Sequence, residues 1–471
     1  MRNPLFPIAS AAGALLLSAC ASFSPDGGMS VTAGIAQRDL HKDVAAIRNE
    51  DDAAAVRARV AQLLKRPLTA EAAVQIALLN NRGLQAAYNE LGIAEAERVR
   101  QSLPPNPSVD ITRIAGAGET EFDGQIVASI LALATLPARS QIATDRFRQA
   151  QLAAALETLR LAAQTRRAYY RAVAAQQLAG LIEQANSSAA TAAKLAKRLG
   201  ETGALNKLDQ AREQAFHAEL AAQLAAARQR AASERERLIR SLSLWGGDLA
   251  FKIPNKLPPL PKRALALRAV EQEAVSRRVD LQIARIELEA LAKSYGLTNA
   301  TRFINVLEGG YADKITSNGG TVRQRGFAVT FEVPIFDFGE TRMREAEQTY
   351  LRAVNRLAQK AIDVRSQARE AYRNYRAAYD IAGHYQREVL PLRQIISDEM
   401  MLHYGAMQVD VFALLSEARQ KIAANVNATE ALRDFWLASS DLSAALTGGE
   451  PGGGGETASI AMPASGEAAG H

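Results

Sequence analysis

Between Tyr350 and Ala382 the apolar residues of this chain keep a single rhythm. Tyr350, Val354, Leu357, Ala361, Val364, Ala368, Ala371, Tyr375, Ala378 and Ala382 are separated alternately by four and three positions. That is a heptad seam, the pattern of a helix packed lengthwise on another helix. Leu152, Leu156, Leu159, Ala163, Arg166, Tyr170 and Val173 step likewise, with Arg166 interrupting the apolar run. The surrounding segment, about 138 to 199, contains no proline. A helix of roughly 60 residues at ~1.5 Å per residue is roughly 90 Å long. No ordinary globular domain needs such an element. Alanine supplies much of the 48% apolar content and aromatic residues only 6%, a composition suited to closely packed helices. A coiled-coil scaffold satisfies the seam equally well, so the heptads leave the architecture open.

The β segments decide between these readings. The stretch GFAVTFEVPIFDFGE places Phe327, Val329, Phe331 and Val333 on one face of a strand and Ala328, Thr330 and Glu332 on the other. This is an apolar face of barrel-like length, and a half-buried sheet in a soluble domain is the plainer reading of the same alternation. Pro334 has no N–H to give and should end the ladder. Phe336 and Phe338 suit a membrane–water interface, Gly339 permits a sharp exit, and Glu340, Glu345 and Glu347 suit the start of a helix. The residues Pro334, Phe336, Phe338 and Gly339 therefore form a candidate barrel-to-helix junction. The apolar content and the spacing predict four strands, at about 108–115, 125–134, 302–311 and 325–333. Four strands do not close a barrel, since about eight is the smallest filled one. Two copies would supply about eight strands and three copies about twelve, and the larger number leaves a useful pore.

The order of elements recurs. Thr69 N-caps a helix expected to end before Pro104, after which come two strands and two long helices separated by Gly200-Glu201-Thr202-Gly203. After Gly246-Gly247 and the proline-rich segment, a helix over 263–294 leads again into two strands. A helix over 340–389 then ends near Pro391, and another, interrupted near Gly405, reaches Leu446. Local matches support a duplication with a period near about 200 residues. Ala168-Tyr169 corresponds to Ala371-Tyr372, Ala211-Arg212 to Ala418-Arg419, and the strand-then-proline step Leu136-Pro137 to Val333-Pro334. The first repeat spans 66–250, a proline-rich linker 251–262, the second repeat 263–446, and a low-complexity, disordered tail 447–471.

The N-terminus reads as a secretory signal over 1–19: Arg2, an apolar run from Ile8 to Leu17, then Leu17-Ser18-Ala19-Cys20. That tetrapeptide resembles a bacterial lipobox. The resemblance implies cleavage before Cys20, acylation of Cys20, and, with Ala21 following, sorting to the outer membrane. Residues 20–65 then form an acylated segment and a charged helix. Cys20 is the single cysteine, so intrachain disulfides are excluded. No later segment is a continuous apolar run long enough for a spanning helix.

Three motifs carry a wider resemblance: RPLTAEAAVQIALLNN, FEVPIFDFGE and YGAMQVDVFALLSEARQ. With the duplication, they make the chain similar to the TolC-like outer-membrane efflux proteins, in their lipoprotein branch, over about 66–446. The resemblance implies a mainly α fold with a β-barrel contribution. It implies a homotrimer with one twelve-stranded barrel in outer-membrane lipid, continuous with a long periplasmic α-helical barrel. It also implies docking to a periplasmic adaptor and an inner-membrane pump, with passive export as the activity. Gly200, Gly203 and Gly405 would mark the hairpin tips that meet the adaptor. Where the family has acids ringing the closed periplasmic aperture in a VDVLDA-like pattern, this chain has Asp410 at the first acid and Ala413 at the second. Asn206 and Asp209 occupy the corresponding positions of the first repeat. Asp410 reads equally well as a helix-start carboxylate.

Other functions find little support. The five histidines make no HExxH or HxH pair, no Walker-type loop is present, and paired carboxylates such as Asp51-Asp52 fall in helical charge patterns, so no catalytic activity is expected. Basic and acidic residues, 56 and 50, are interleaved along helices, so no nucleic-acid surface is expected. No cofactor is expected beyond the lipid on Cys20, and no metal site. Met400, Met401, His403 and Met407 are the right types for Cu(I), but methionines also fill gaps at helix ends. The alternative class is a lipidated periplasmic coiled-coil adaptor or scaffold. It would carry one hairpin, where this sequence has two.

Overall fold

A computed structural model describes residues 22–116 and 118–449. The signal segment, Cys20 and the tail from 450 lie outside the described residues. In chain order the helices are α1 (Met29–Leu40), α2 (Glu50–Leu64), α3 (Ala70–Asn80) and α4 (Arg82–Ser102). Strands β1 (Ser108–Gly116) and β2 (Glu119–Ser129) follow, then α5 (Ile130–Ala134), α6 (Leu136–Glu201) and α7 (Lys207–Leu242). The second half has α8 (Val270–Arg277), α9 (Val279–Ala300), β3 (Val306–Ser317), β4 (Thr321–Glu332), α10 (Glu340–His384), α11 (Leu390–Gly405) and α12 (Val411–Thr447). A helix pair, a hairpin and long helices thus occur twice, in the same order. The chain forms two compact units, and neither is a sequence half. The first contains 86–155 and 279–362 with the start of the chain, and the second contains 35–85, 156–278 and the residues from 363 onward.

In the first unit the four strands form one antiparallel sheet in the order β1-β2-β3-β4. Ion pairs and hydrogen bonds fix the helices of this unit to one another. Lys293 on α9 meets Asp145 on α6 at 2.5 Å, and Arg139 on α6 donates to Gln101 on α4 at 3.0 Å. Residues at the start of the described chain lie along α4 and α6: Arg98 donates to the Ser22 carbonyl at 2.8 Å and Gln151 to the Gly28 carbonyl at 3.1 Å.

The second unit is helical, with Leu68, Ile76, Leu78, Val173, Leu238, Leu242 and Phe435 fully buried. Tyr170 stacks on Trp436 at 5.1 Å between ring centroids, and Phe435 meets Tyr375, Tyr379 and Trp436. All ten residues of the Tyr350–Ala382 seam are buried or half-buried, as the heptad pattern requires. The proline-rich segment read as a linker is strapped to this core. Trp436 Nε1 donates to the Pro258 carbonyl and Tyr379 Oη to the Pro261 carbonyl, both at 3.0 Å. The Leu257 and Leu265 N–H groups are taken by Gln177 Oε1 at 2.8 Å and Tyr375 Oη at 2.9 Å. A segment rich in proline cannot pair its backbone with itself, so Trp436 and Tyr379 satisfy two of its carbonyls, while Gln177 and Tyr375 take up N–H groups in and just after it.

Several expected boundaries differ from those observed. The helix expected from 69 is two helices, because Asn81 is extended (ψ 119°) and its Oδ1 accepts from Leu84 N at 3.0 Å, starting α4 afresh. The helix expected over 263–294 breaks in the same way at Arg278 (ψ 122°), whose buried guanidinium reaches Gln367 at 2.8 Å. The charged helix expected within 20–65 is two helices, separated by an irregular stretch whose Asp43 and Ile47 N–H groups are taken by Gln75 and Gln85. β2 stops at Ser129, which caps the short α5, so Leu136-Pro137 starts α6 and is not a strand–proline step. β3 and β4 run nearer to their shared turn than 302–311 and 325–333. Pro391 does not end a helix: the ladder widens to a π turn over Tyr385–Val389, and the helix passes through it into α11.

Candidate functional site

In an antiparallel ladder, paired residues share a face. The observed pairs Val109↔Ile126, Ile126↔Tyr311 and Tyr311↔Phe327 therefore define a rung, with Ala128↔Gly309↔Val329 and Leu307↔Phe331 beyond it toward the helices. This face is apolar and open to solvent in the single chain, with Phe327 88% exposed and Val109, Ile111, Ile126, Val329 and Phe331 also exposed. The opposite face carries Asp110, Gln125, Glu121, Asp123, Lys314, Glu308, Thr330 and Glu332. Lys314 pairs there with Glu121. From the Val109–Phe327 rung toward the helices one face is apolar, while the other holds most of the acids of the sheet, the pattern of a sheet with lipid on one side and water on the other. Among the described residues no helix is long and apolar enough to cross a membrane.

At the end of β4 the chain turns sharply. Phe338 N donates to the Pro334 carbonyl at 2.8 Å, and both Phe338 (φ +49°) and Gly339 (φ +74°) are left-handed. A Cβ at Gly339 would lie 2.2 Å from the Arg302 carbonyl oxygen, so only glycine fits. Asp337 starts α10, accepting from Gly339 N at 3.0 Å and from the Thr341 hydroxyl; these bonds hold its carboxyl below its ordinary pKa. Phe336 is 98% exposed and Phe338 largely so. Sequence reasoning found the proline, the two phenylalanines and the glycine, and missed Asp337. The signal was present: an Asp two residues before a glycine is placed to bond the backbone N–H two residues on, an Asx turn.

The two helix turns in the second unit are built alike. Gly203 N donates to the Gly200 carbonyl at 3.1 Å and Met407 N to the Tyr404 carbonyl at 3.0 Å. Gly203 (φ +74°) and Met407 (φ +59°) occupy the same left-handed position, so the residue at the bend of the second turn is Met407 and not Gly405. Asn206 caps α7 by accepting from Asp209 N at 2.8 Å, and Asp410 caps α12 by accepting from Ala413 N at 2.7 Å. The caps pair Asn206 with Asp410 and Asp209 with Ala413. The same spacing sets Arg212 beside Ser416, which corrects the match of Ala211-Arg212 with Ala418-Arg419. Of these four paired positions each turn thus has one acid, Asp410 at the cap in one and Asp209 in the first helical turn in the other.

Seven residues past each cap is a buried glutamate, a pair that sequence reasoning did not single out. Glu213 on α7 meets Arg419 on α12 at 2.7 Å, and Glu417 on α12 meets Arg393 on α11 at 3.1 Å. The Arg419 guanidinium also lies 3.9 Å from the Phe216 ring centroid. Equal distance from two caps was the legible signal. At the second turn, Met401 and Met407 are exposed and His403 Nδ1 is engaged with Gln408. Among the described residues no group of three or more His, Cys, Asp or Glu is placed to hold a metal ion.

Known proteins share this architecture. The family model of outer membrane efflux proteins matches residues 270–396. No curated protein sequence matches. The solved structure of CusC, described in connection with transmembrane channel formation, superposes with a TM-score of 0.67 at 17% identity, covering 83% of this chain and 92% of that one. The CmeC outer membrane channel of Campylobacter jejuni gives 0.66 at 15% identity over 83% and 86%. The open MtrE outer membrane channel of Neisseria gonorrhoeae gives 0.64 at 16% over 83% and 89%. The chain has the fold of these outer-membrane channels.

Proposed function

We propose that this protein is the outer-membrane exit channel of a tripartite efflux or secretion system. Three copies would close their four-stranded sheets into one twelve-stranded barrel, with the apolar face in lipid and the charged face toward water. The recurring element order is then a duplicated unit, and its long helices form a periplasmic conduit. A periplasmic adaptor would dock at the helix turns around Gly200–Gly203 and Tyr404–Asp410, and an inner-membrane pump would supply the energy and the choice of cargo. The protein itself would conduct passively and have no catalytic role. The observation that carries this reading is the sheet: its broad apolar face is uncovered in the single chain, and its edges β1 and β4 are unpaired, which no lone chain in water tolerates well.

Asp410 and Asp209 would contribute acid to the closed aperture. Asn206 would act mainly as a cap. The mature protein would be held to the outer membrane by lipid on Cys20, and the intact mass of the mature N-terminus reads this directly. A mass lacking acyl chains would remove the anchor from the account. The channel itself is tested by planar-bilayer recording of the purified protein. Discrete, long-lived conductance steps are expected. A bilayer left at baseline by folded, oligomeric protein would end the channel reading.

A further inference from the structure

All three arginines of the sheet lie on its otherwise apolar face, on the second and third rungs of that face counted from the hairpin turns. Arg113, Phe122, Ile315 and Arg323 form one rung across the four strands, and Ile111, Gly124, Asp313 and Arg325 form the next. Six of the acids, Asp110, Glu119, Glu121, Asp123, Glu308 and Glu332, lie on the other face. The one acid among the arginines, Asp313, accepts from Arg323 through both carboxylate oxygens and lies 3.7 Å from Arg325. Arg113 stands over the Phe122 ring at 5.4 Å. The guanidiniums are therefore held in place while remaining about half exposed, Arg323 at 52% and Arg325 at 57%. One carboxylate among three guanidiniums leaves a positive surplus.

Position gives the patch its meaning. From Val333 to Arg325 the chain advances roughly 27 Å at ~3.4 Å per residue, or about 20 Å along a barrel axis once strand tilt is allowed for. That is close to the height of the apolar band of an outer-membrane barrel. Arginine is costly at the midplane of a bilayer and cheap at its edge. The guanidiniums thus stand where acyl chains give way to headgroups, at the border farther from the helices.

Building on the channel reading, we infer that Arg113, Arg323 and Arg325 form a binding belt for the phosphate groups of an anionic lipid in the outer leaflet. Acyl chains lie against Phe122, Ile315, Ile111 and Ile126, and the guanidiniums engage phosphate oxygens in the forked geometry that suits them. Asp313 orients Arg323 and Arg325 and prevents the belt from binding indiscriminately through bare charge. The partner is a two-part ligand, an acyl chain bundle carrying phosphate, and neither part alone satisfies the site.

The test is native mass spectrometry of the purified full-length assembly with lipid A and with dephosphorylated lipid A. Preference of the wild type for the phosphorylated form by at least about tenfold is expected. The double variant Arg113→Gln/Arg325→Gln, which keeps the Arg323–Asp313 pair, should lose most of that preference. Equal retention of the two lipids by the wild type overturns the proposal without using a variant, and so does an unchanged preference in the double variant. Planar-bilayer conductance of the same preparations separates the two claims. Conducting protein with no lipid preference defeats the belt alone, whereas protein that neither conducts nor inserts defeats the channel reading and the belt with it.

Discussion

Removing Arg419 should destabilise the turn region more than removing its partner Glu213. The pair is asymmetric: the Glu213 side chain is 5% exposed and that of Arg419 31%. Breaking a buried pair by deleting one partner costs about 3–5 kcal/mol when the survivor is left charged and dry. In Arg419→Ala the survivor is the buried carboxylate, which also loses any benefit of the Phe216 contact to its partner, so the expected loss is about 3 kcal/mol. In Glu213→Gln the survivor is a guanidinium with about a third of its surface in water, and the loss should be nearer ~1 kcal/mol. Amide hydrogen exchange read by mass spectrometry over α7 measures this locally, since opening free energy sets the exchange rate. At about 1.4 kcal/mol per factor of ten, Arg419→Ala should speed exchange roughly a hundredfold and Glu213→Gln about fivefold. Equal effects of the two variants, or an Arg419→Ala protein that exchanges like the wild type, would show that Glu213 is solvated and that the pair carries no strain-bearing load.

Three further outcomes are expected. Gly339→Ala should prevent folded protein from accumulating in the membrane fraction, because the new Cβ would lie 2.2 Å from a backbone oxygen at a left-handed residue; normal yields of heat-modifiable oligomer would count against the junction geometry. Asp410→Asn should keep the cap, as Asn206 does in the first turn, yet reduce cation preference in bilayer recordings, while Asp410→Ala should also cost about 1 kcal/mol; identical selectivity in all three proteins would leave Asp410 a cap only. Burial by itself would raise the Asp39 carboxyl, but its bonds to Arg38 at 2.7 Å and Arg277 at 3.0 Å outweigh this and hold its pKa below the ordinary value. A depressed folded pKa gives stability that is present above the unfolded value, about 3.9, and is lost as pH falls through the folded one, so acid melts should show a loss below about pH 4 that Asp39→Asn lacks.

The long helices were readable because a heptad is a statement about packing. Every residue of the Tyr350–Ala382 seam found cover. The strands were readable as alternation, but their ends were not. Ser129 stops β2 by capping a helical turn, and apolar Ile130–Ala134 gives no hint of that in composition. The breaks at Asn81 and Arg278 were hidden because each depends on distant partners: Asn81 Nδ2 on the Ser241 carbonyl, and Arg278 on Gln367. Pro391 misled in the other direction, since a π turn absorbs the missing donor. At the helix turns, residue type pointed to Gly405, while the backbone put its left-handed residue at Met407. The arginine belt was invisible for a different reason. Arg113 is more than two hundred residues from Arg323, and only the observed register puts them on one rung of one face.

In the proposed channel, neighbouring subunits and lipid must cover an apolar sheet face and two open sheet edges. The most direct measurement is the intact mass of the mature protein in lipid nanodiscs, together with its state after the lipid is withdrawn. Three copies per disc, and aggregation once lipid is removed, is the predicted result. A folded single copy, stable in water and unretained by bilayers, would contradict it.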